Sequence, residues 1–335
     1  MTLAAVATVA VLGTATAGVM SAGGVAAPGP GGGDAAQSLR ADPVPDLPEG
    51  KVGALGYAYR TPCKVDEQRQ LDCGGVEWRV VTRGGTTYRL PQALVLTAKD
   101  NRVPVAISRD GRMLAYYSGQ AAAHVVRDLV SGSEVTSPVT VREDRIGPGS
   151  MLVVSDDGRY VVFDPREGSK DPGLLIDMRT GKTVSVPGKY ETVSVKDGVA
   201  ELVRYVKTDL WLMPVTGGGR PVRFDGVFIM FSELSPDGRT VAAIEFTDMK
   251  KDILTLLDAK TGRTLRKVPI RGLPKDGGPE GTGLWRSRTE VTVLWLEKDR
   301  TRAYAVDVGS GQARRVGDYP GRFGQGPILP GVAGD

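Results

Sequence analysis

The chain has 335 residues, 41% of them hydrophobic, enough for one large all-β domain or two ordinary ones. Its 45 glycines and 22 prolines point to many turns between short elements. A formal net charge of +4 is too small to indicate nucleic-acid binding without a clustered patch, and one histidine beside two cysteines argues against a zinc site.

Met1–Gly33 contains no charged residue, and Leu3–Leu12 is almost purely apolar. Ala15-Thr16-Ala17 then offers small residues at a cleavage position. No lysine or arginine precedes Arg40, so a basic n-region is missing and the true start is expected further upstream. Three readings stay open: a cleaved signal peptide, an uncleaved transmembrane anchor through residues 3–27, or a disordered Ala/Gly tail. The first two imply export, and residues 1–27 are assigned to them. Residues 28–50 hold Pro28, Pro30, Pro43, Pro45 and Pro48 with Gly31–Gly33, and read as a flexible linker. Cys63 and Cys73 follow closely on each other; in an exported chain the expectation is a structural disulfide, the alternative two unrelated thiols.

Residues 51–335 are read as one repeating domain. Ser-x-Asp-Gly-Arg occurs at Ser108–Arg112, Ser155–Arg159 and Ser235–Arg239, with a degenerate copy at Ser194–Gly198. These place turns at Asp110-Gly111, Asp157-Gly158 and Asp237-Gly238. A second motif, Asp-x-x-Ser/Thr-Gly, begins at Asp128, Asp177, Asp258 and Asp307, with Met213 in place of Asp in a fifth copy. The two motifs alternate. Asp-Gly is a favoured pair for a two-residue hairpin, because both positions can take φ > 0. Apolar runs such as Met113–Tyr117 and Ile253–Leu257 flank the turns and read as strands. Four strands per unit, repeating roughly every 40–50 residues, mean a β-propeller of about six four-stranded antiparallel blades. Its middle strands are apolar on both faces, as a blade between two neighbours requires.

Ser235-Pro236-Asp237-Gly238-Arg239, followed by an apolar strand, resembles the WD40-like repeats of TolB-type propellers, as does Asp209-Leu210-Trp211-Leu212. The resemblance spans about residues 53–317 and implies an interaction module, or a non-catalytic domain of the kind attached to peptidases. Blade one departs from it. Glu77–Val81 and Thr86–Leu90 fit its third and fourth strands, but no Asp-Gly copy precedes them. The segment around Phe323–Leu329 is expected to return to blade one and close the ring, since an open ring would leave unpaired strand edges.

Residues that would carry chemistry are sparse. No Gly-x-Ser-x-Gly elbow is present, and His124 sits in an apolar run that reads as a strand. The acidic turns lack calcium-loop spacing, Gly217–Arg220 lacks the end of a phosphate-binding loop, and Glu143-Asp144 reads as solvated loop. No catalytic, metal or cofactor residue is assigned. Lys250–Lys275 is the densest basic part of the chain and could meet an anionic envelope polymer. The expectation is therefore a monomeric, non-catalytic binding or scaffold propeller, secreted or in the cell envelope, meeting a protein or an anionic envelope polymer and no nucleic acid. Two alternatives stand beside it. One is a propeller enzyme with lactonase- or lyase-like chemistry, which needs carboxylates with Asn or His at the channel mouth. The other is a tethered sensor ectodomain.

Overall fold

The computed structural model describes residues 43–65, 69, 71–165, 170–205, 207–298, 300–320 and 326–333. The expected signal peptide or anchor and most of the expected linker lie outside these residues, as does Phe323. Among the described residues no helix is long and apolar enough to cross a membrane.

Six antiparallel sheets follow one another in sequence. Blade 1 comprises Leu55–Arg60, Trp78–Thr82 and Thr87–Arg89. Blade 2 comprises Val105–Ile107, Met113–Ser118, Ala123–Asp128 and Glu134–Thr140. Blade 3 is Met151–Val154, Tyr160–Asp164, Gly173–Asp177 and Thr183–Val186. Blade 4 is Glu191–Lys196, Val199–Arg204, Asp209–Pro214 and Val222–Arg223. Blade 5 runs through Phe228–Ile229, Thr240–Glu245, Ile253–Asp258 and Thr264–Pro269. Blade 6 has Gly278–Trp285, Glu290–Glu297, Arg300–Asp307 and Ala313–Pro320. This is a six-bladed propeller. The first strands of neighbouring blades meet at the axis, and the fourth strands form a solvated rim.

Burial follows from that placement. Along Met113–Ser118, Leu114 and Tyr116 pack toward blade 1, while Ala115 and Tyr117 pack toward blade 3. Side chains alternate across a strand, so one apolar strand feeds two interfaces. Each pair of neighbouring blades shares such a cluster. Between blades 5 and 6 it includes Ile244, Leu256, Trp285 and Trp295.

The two repeat motifs meet within a blade. Arg112 of the first motif forms a two-pronged ion pair with Asp128 of the second, at 2.9 and 2.6 Å. Arg159 pairs with Asp177 at 2.9 Å, and Arg239 with Asp258 at 2.7 Å. The same carboxylates accept backbone N–H bonds from their own turns, as Asp128 does from Val130 and Ser131. Arg112 and those N–H groups hold Asp128 well below the usual carboxylate range, and Arg239 brings Asp258 down to about 2.

Turn geometry differs from the two-residue hairpin expected of Asp-Gly. Gly111, Gly158 and Gly238 have φ of 74°, 68° and 67°, but the aspartates before them do not take positive φ. The Gly111 N–H donates to Ser108 O, and Ser108 pairs with Met113, so four residues form the loop. The Ser108 hydroxyl donates to Asp110 and accepts from the Met113 N–H. That side-chain bracket selects a turn of type I followed by a left-handed glycine. The two-residue form occurs in the degenerate copy alone of these four. Asp197 and Gly198 have φ of 50° and 75°, and Lys196 pairs directly with Val199. There Ser194 has no bracket to make and donates to Glu201 instead.

Both chain ends of the described domain dock on blade 1. Ala58 and Ile328 exchange backbone hydrogen bonds of 2.9 and 2.7 Å, so the C-terminal segment pairs on the inner edge. On the outer edge Leu47 N–H donates to Arg89 O and Arg89 N–H to Pro45 O, at 2.8 Å each. Residues 45–47, at the end of the span read as linker, thus cover the fourth-strand side of the blade. Cys63 and Cys73 form a disulfide at the base of a small hairpin, Lys64–Val65 against Leu71–Asp72.

Candidate functional site

The central channel gathers one short stretch from each of several blades. At the end where first strands run into their turns, Arg109, Asp156, Lys196 and Glu233 converge on a void of 20 Å³. The Arg109 guanidinium donates to Trp285 O at 2.6 Å and lies 3.2 Å from Glu233. Its backbone N–H donates to Asp156 at 2.9 Å, and the Trp285 N–H donates to Glu233 at 3.0 Å. Burial pushes both carboxyls up, with Arg109 acting against it. Three blades are tied to a fourth by this cluster.

At the opposite end, where first strands begin, a cavity of 370 Å³ opens between blades 3, 4, 5 and 6. Met151, Val193, Ile229 and Met230 give it apolar surface; Glu191, Glu233 and Glu280 give it carboxylates; Thr192, Tyr205 and Thr282 give it hydroxyls. Pockets of this size with a few convergent polar groups are the usual form of a small-ligand site. Met230 sits at φ 55°, a conformation costly for a long side chain, and its carbonyl accepts from Thr282. The side toward blades 1 and 2 is filled by the C-terminal segment. Gly331 N–H donates to Ile107 O at 2.8 Å, and Gly331, Val332 and Ala333 form a wall of the cavity.

Glu201 lies beside this channel on the second strand of blade 4 and is 2% exposed. One carboxyl oxygen, Oε2, accepts from the Ser194 hydroxyl at 3.0 Å and from the Leu234 N–H of the segment entering blade 5 at 2.8 Å. The other, Oε1, has no hydrogen-bond partner. Burial pushes the group up to about 8, so it is a neutral acid at neutral pH.

Of the residues singled out in sequence, Asp110, Gly111, Asp157, Gly158, Asp237 and Gly238 lie in the turns between first and second strands. Cys63 and Cys73 lie apart from the channel. His124 is buried between blades 2 and 3 against Tyr117 and Phe163, at ring distances of 5.6 and 4.8 Å, and lines none of the cavity. Glu143 accepts from the Ala98 N–H, and Asp144 pairs with Arg142, both off the axis. The sequence reading found no acidic cluster, and this is corrected by the fold. Glu191, Glu233 and Glu280 are brought together from three blades, which no local spacing reveals. One signal was present: Glu201 interrupts the otherwise apolar run Val199–Val203. Among the described residues no group of three or more His, Cys, Asp or Glu is arranged to hold a metal ion.

No protein-family model and no curated protein matches the chain. Solved structures do match in fold. TolB from Acinetobacter baumannii aligns at 15% identity over 82% of this chain and 65% of its own, with a TM-score of 0.50. A TolB-type structure from Agrobacterium tumefaciens aligns at 14% identity over 81% of this chain and 91% of its own, with a TM-score of 0.48. The chain thus spans a little under two thirds of the Acinetobacter protein. In fold, the chain is a six-bladed β-propeller, similar to that of TolB from Acinetobacter baumannii.

Proposed function

We propose that the chain is a non-catalytic binding or scaffold propeller that works outside the cytoplasm, in the cell envelope or beyond it. The disulfide Cys63–Cys73 carries the location, because oxidising compartments maintain such bonds and reducing ones do not. It closes a hairpin whose Val65 and Leu71 are 64% and 71% exposed, apolar surface suited to a protein partner. Arg263, Arg266 and Lys275, exposed around blade 5, suit an anionic envelope polymer. Residues 1–27 serve as a leader or tether, and the propeller acts as a monomer. The second reading, an acid–base enzyme, draws on the buried carboxyls. Against it, Glu201 faces a serine and a backbone amide rather than the cavity, and Glu233 is engaged by Arg109 and the Trp285 N–H.

The test is fractionation of cells that express the full chain, with mass spectrometry of unreduced peptides. The expected outcome is protein outside the cytoplasm with Cys63 and Cys73 linked. A cytoplasmic pool with two freely alkylated thiols would contradict the proposal.

A further inference from the structure

A second cavity, of 450 Å³, lies on the seam between blades 6 and 1. Blade 6 gives it Leu294 and Val316, blade 1 gives it Gly56, and the C-terminal segment gives it Leu329 and Pro330. Its described lining residues include three arginines and no aspartate or glutamate. Arg109 is engaged by Glu233 and the Trp285 carbonyl, so its charge is answered. Arg83 and Arg286 differ: among the described residues neither guanidinium has an ion pair or a hydrogen bond. Their backbones are fixed, since Arg83 N–H donates to Ala54 O at 2.9 Å and Arg286 N–H to Glu290 O at 2.8 Å. Uncompensated cations at a concave, partly apolar site create a focused positive potential.

Exposed arginines alone are ordinary solvated surface. Tyr319 shows that the Arg286 charge bears on the cavity. Tyr319 lines the same wall, its ring edge-on to Tyr57 at 5.6 Å. The ring folds back over Gly317, where a Cβ would stand 2.7 Å from the hydroxyl oxygen, so the residue there must be small. Burial pushes this hydroxyl up and the Arg286 guanidinium acts against it, so cation and phenol share one space. The hydroxyl makes no hydrogen bond among the described residues, which leaves its donor unused. On blade 1, a Cβ at Gly56 would lie 3.9 Å from Arg83 Cα, so the wall next to Arg83 is bare backbone. The volume of 450 Å³ corresponds to about fifteen waters of liquid. That is room for a short alkyl chain with a polar head, and too little for a folded segment.

We propose that this seam cavity binds an organic oxyanion: a carboxylate or phosphate head on a short apolar stem. The head lies toward Arg83 and Arg286, whose guanidinium forks suit paired oxygens, and accepts the Tyr319 hydroxyl. The stem lies along Leu294, Val316 and Leu329. The same chemistry is offered by a free organic acid and by an acidic side chain of a partner protein. The proposal rests on the propeller being a binding module.

Calorimetric titration of the full chain tests it, using hexanoate, hexyl phosphate, hexanol, hexylamine and N-acetyl-glutamate methylamide as probes. Hexanoate or hexyl phosphate is expected to bind at neutral pH, hexanol at least about tenfold more weakly, and hexylamine not at all. Added salt should weaken the anion's binding. Arg83→Gln and Arg286→Gln should each lower affinity for the anion about tenfold, and Tyr319→Phe about threefold. Arg288→Gln, at an exposed neighbour that does not line the cavity, should leave it unchanged. Binding of a hexyl anion but not of the blocked glutamate identifies a small-molecule ligand; binding of the blocked glutamate identifies a partner's side chain. Either supports the site. No binding of any anion, hexylamine binding as well as the anions, or Arg288→Gln weakening them as much as Arg286→Gln, overturns it. The probe comparison uses unaltered protein, so a variant that fails to fold does not obscure the answer. Release of hexanol from hexyl phosphate would instead contradict the non-catalytic reading while leaving the anion site standing.

Discussion

Two buried titratable side chains set opposite limits on the pH range of the fold. Glu201 is raised by burial from an ordinary value near 4.5 to about 8. Oε2 accepts two hydrogen bonds, which leaves Oε1 as the oxygen that carries the proton. The folded state then binds a proton that the unfolded chain has released. Below about pH 4.5 both states are protonated and this contribution is fully present; it declines as pH rises toward 8, by at most about 1.4 kcal/mol per pH unit. His124 acts in the other direction. Burial lowers it from 6.5 to about 4, so the unfolded chain takes up a proton first, and stability falls as pH drops from about 6.5 toward 4. The melting midpoint of the native chain should therefore be highest and nearly flat from about pH 4.5 to 6.5, where the two contributions cancel, and fall above that. Glu201→Gln should flatten the alkaline side, gaining most near pH 8–9 and little near pH 4.5. His124→Phe should remove the acid-side loss, so that the midpoint keeps rising as pH falls from about 6.5 to about 4.5. Midpoints measured by circular dichroism from pH 4.5 to 9 check both, and variant curves parallel to the native one would refute the assignment.

At the scale of strands and turns, position decides what a glycine is worth. Gly111 and Gly238 occupy equivalent places in their repeats with nearly equal φ, so both would strain a side chain similarly. Their surroundings differ. A Cβ at Gly111 would stand 2.4 Å from the Leu55 carbonyl oxygen of blade 1, and the Gly111 carbonyl accepts from the Leu55 N–H. A Cβ at Gly238 would meet nothing within 4 Å. Gly238→Ala should then cost roughly 1 kcal/mol, the backbone penalty alone. Gly111→Ala should cost clearly more, about 2–4 kcal/mol, because the blade 1 contact must shift as well. Equal midpoints in urea for the two variants would show that the contact with blade 1 is unimportant. The same contrast marks how far the sequence is readable. The Ser-x-Asp-Gly-Arg and Asp-x-x-Ser/Thr-Gly turns are legible because their bonds run between residues two to five apart, as from Ser108 to Asp110 and Met113. The ion pairs that join the two motifs, Arg112–Asp128 among them, span a strand pair and leave only the alternation of motifs as a trace. Turn type was misread because Asp-Gly alone favours two positive φ values, whereas the preceding serine redirects the hydrogen bonds. The channel site was illegible for a stronger reason. Glu191 with Thr192, Glu233, and Glu280 come from three separate blades, and only ring closure puts them on one cavity.

For the whole molecule, closure is the step on which the remaining contacts depend. Between blades 6 and 1 the buried cluster is small: Leu294 and Ala303 with Leu329, flanked by Tyr57, Val316, Tyr319 and Val332. Two of these side chains belong to the C-terminal segment rather than to either blade. The same segment pairs Ile328 with Ala58, packs Ile328 into the cluster between blades 1 and 2, and anchors Gly331 to Ile107 of blade 2. It therefore touches blades 6, 1 and 2 at once, as a strap across the seam. Burial of Ile328 and Leu329, at 2% and 5% exposure, is worth about 1.5–3 kcal/mol each in apolar transfer. Two backbone hydrogen bonds to Ala58 add roughly 0.5–1.5 kcal/mol each. Their loss would consume a large part of the stability of an ordinary domain. Removing residues 326–335 should lower the thermal midpoint by more than about 10 °C and expose the inner edge of blade 1 to association with other chains. Ile328→Ala should do part of this while keeping the backbone pairing, lowering the midpoint by several degrees with the chain still monomeric. Thermal unfolding together with light scattering distinguishes the two outcomes. A truncated chain that melts like the native one and remains monomeric would mean that blades 6 and 1 hold the ring closed by themselves.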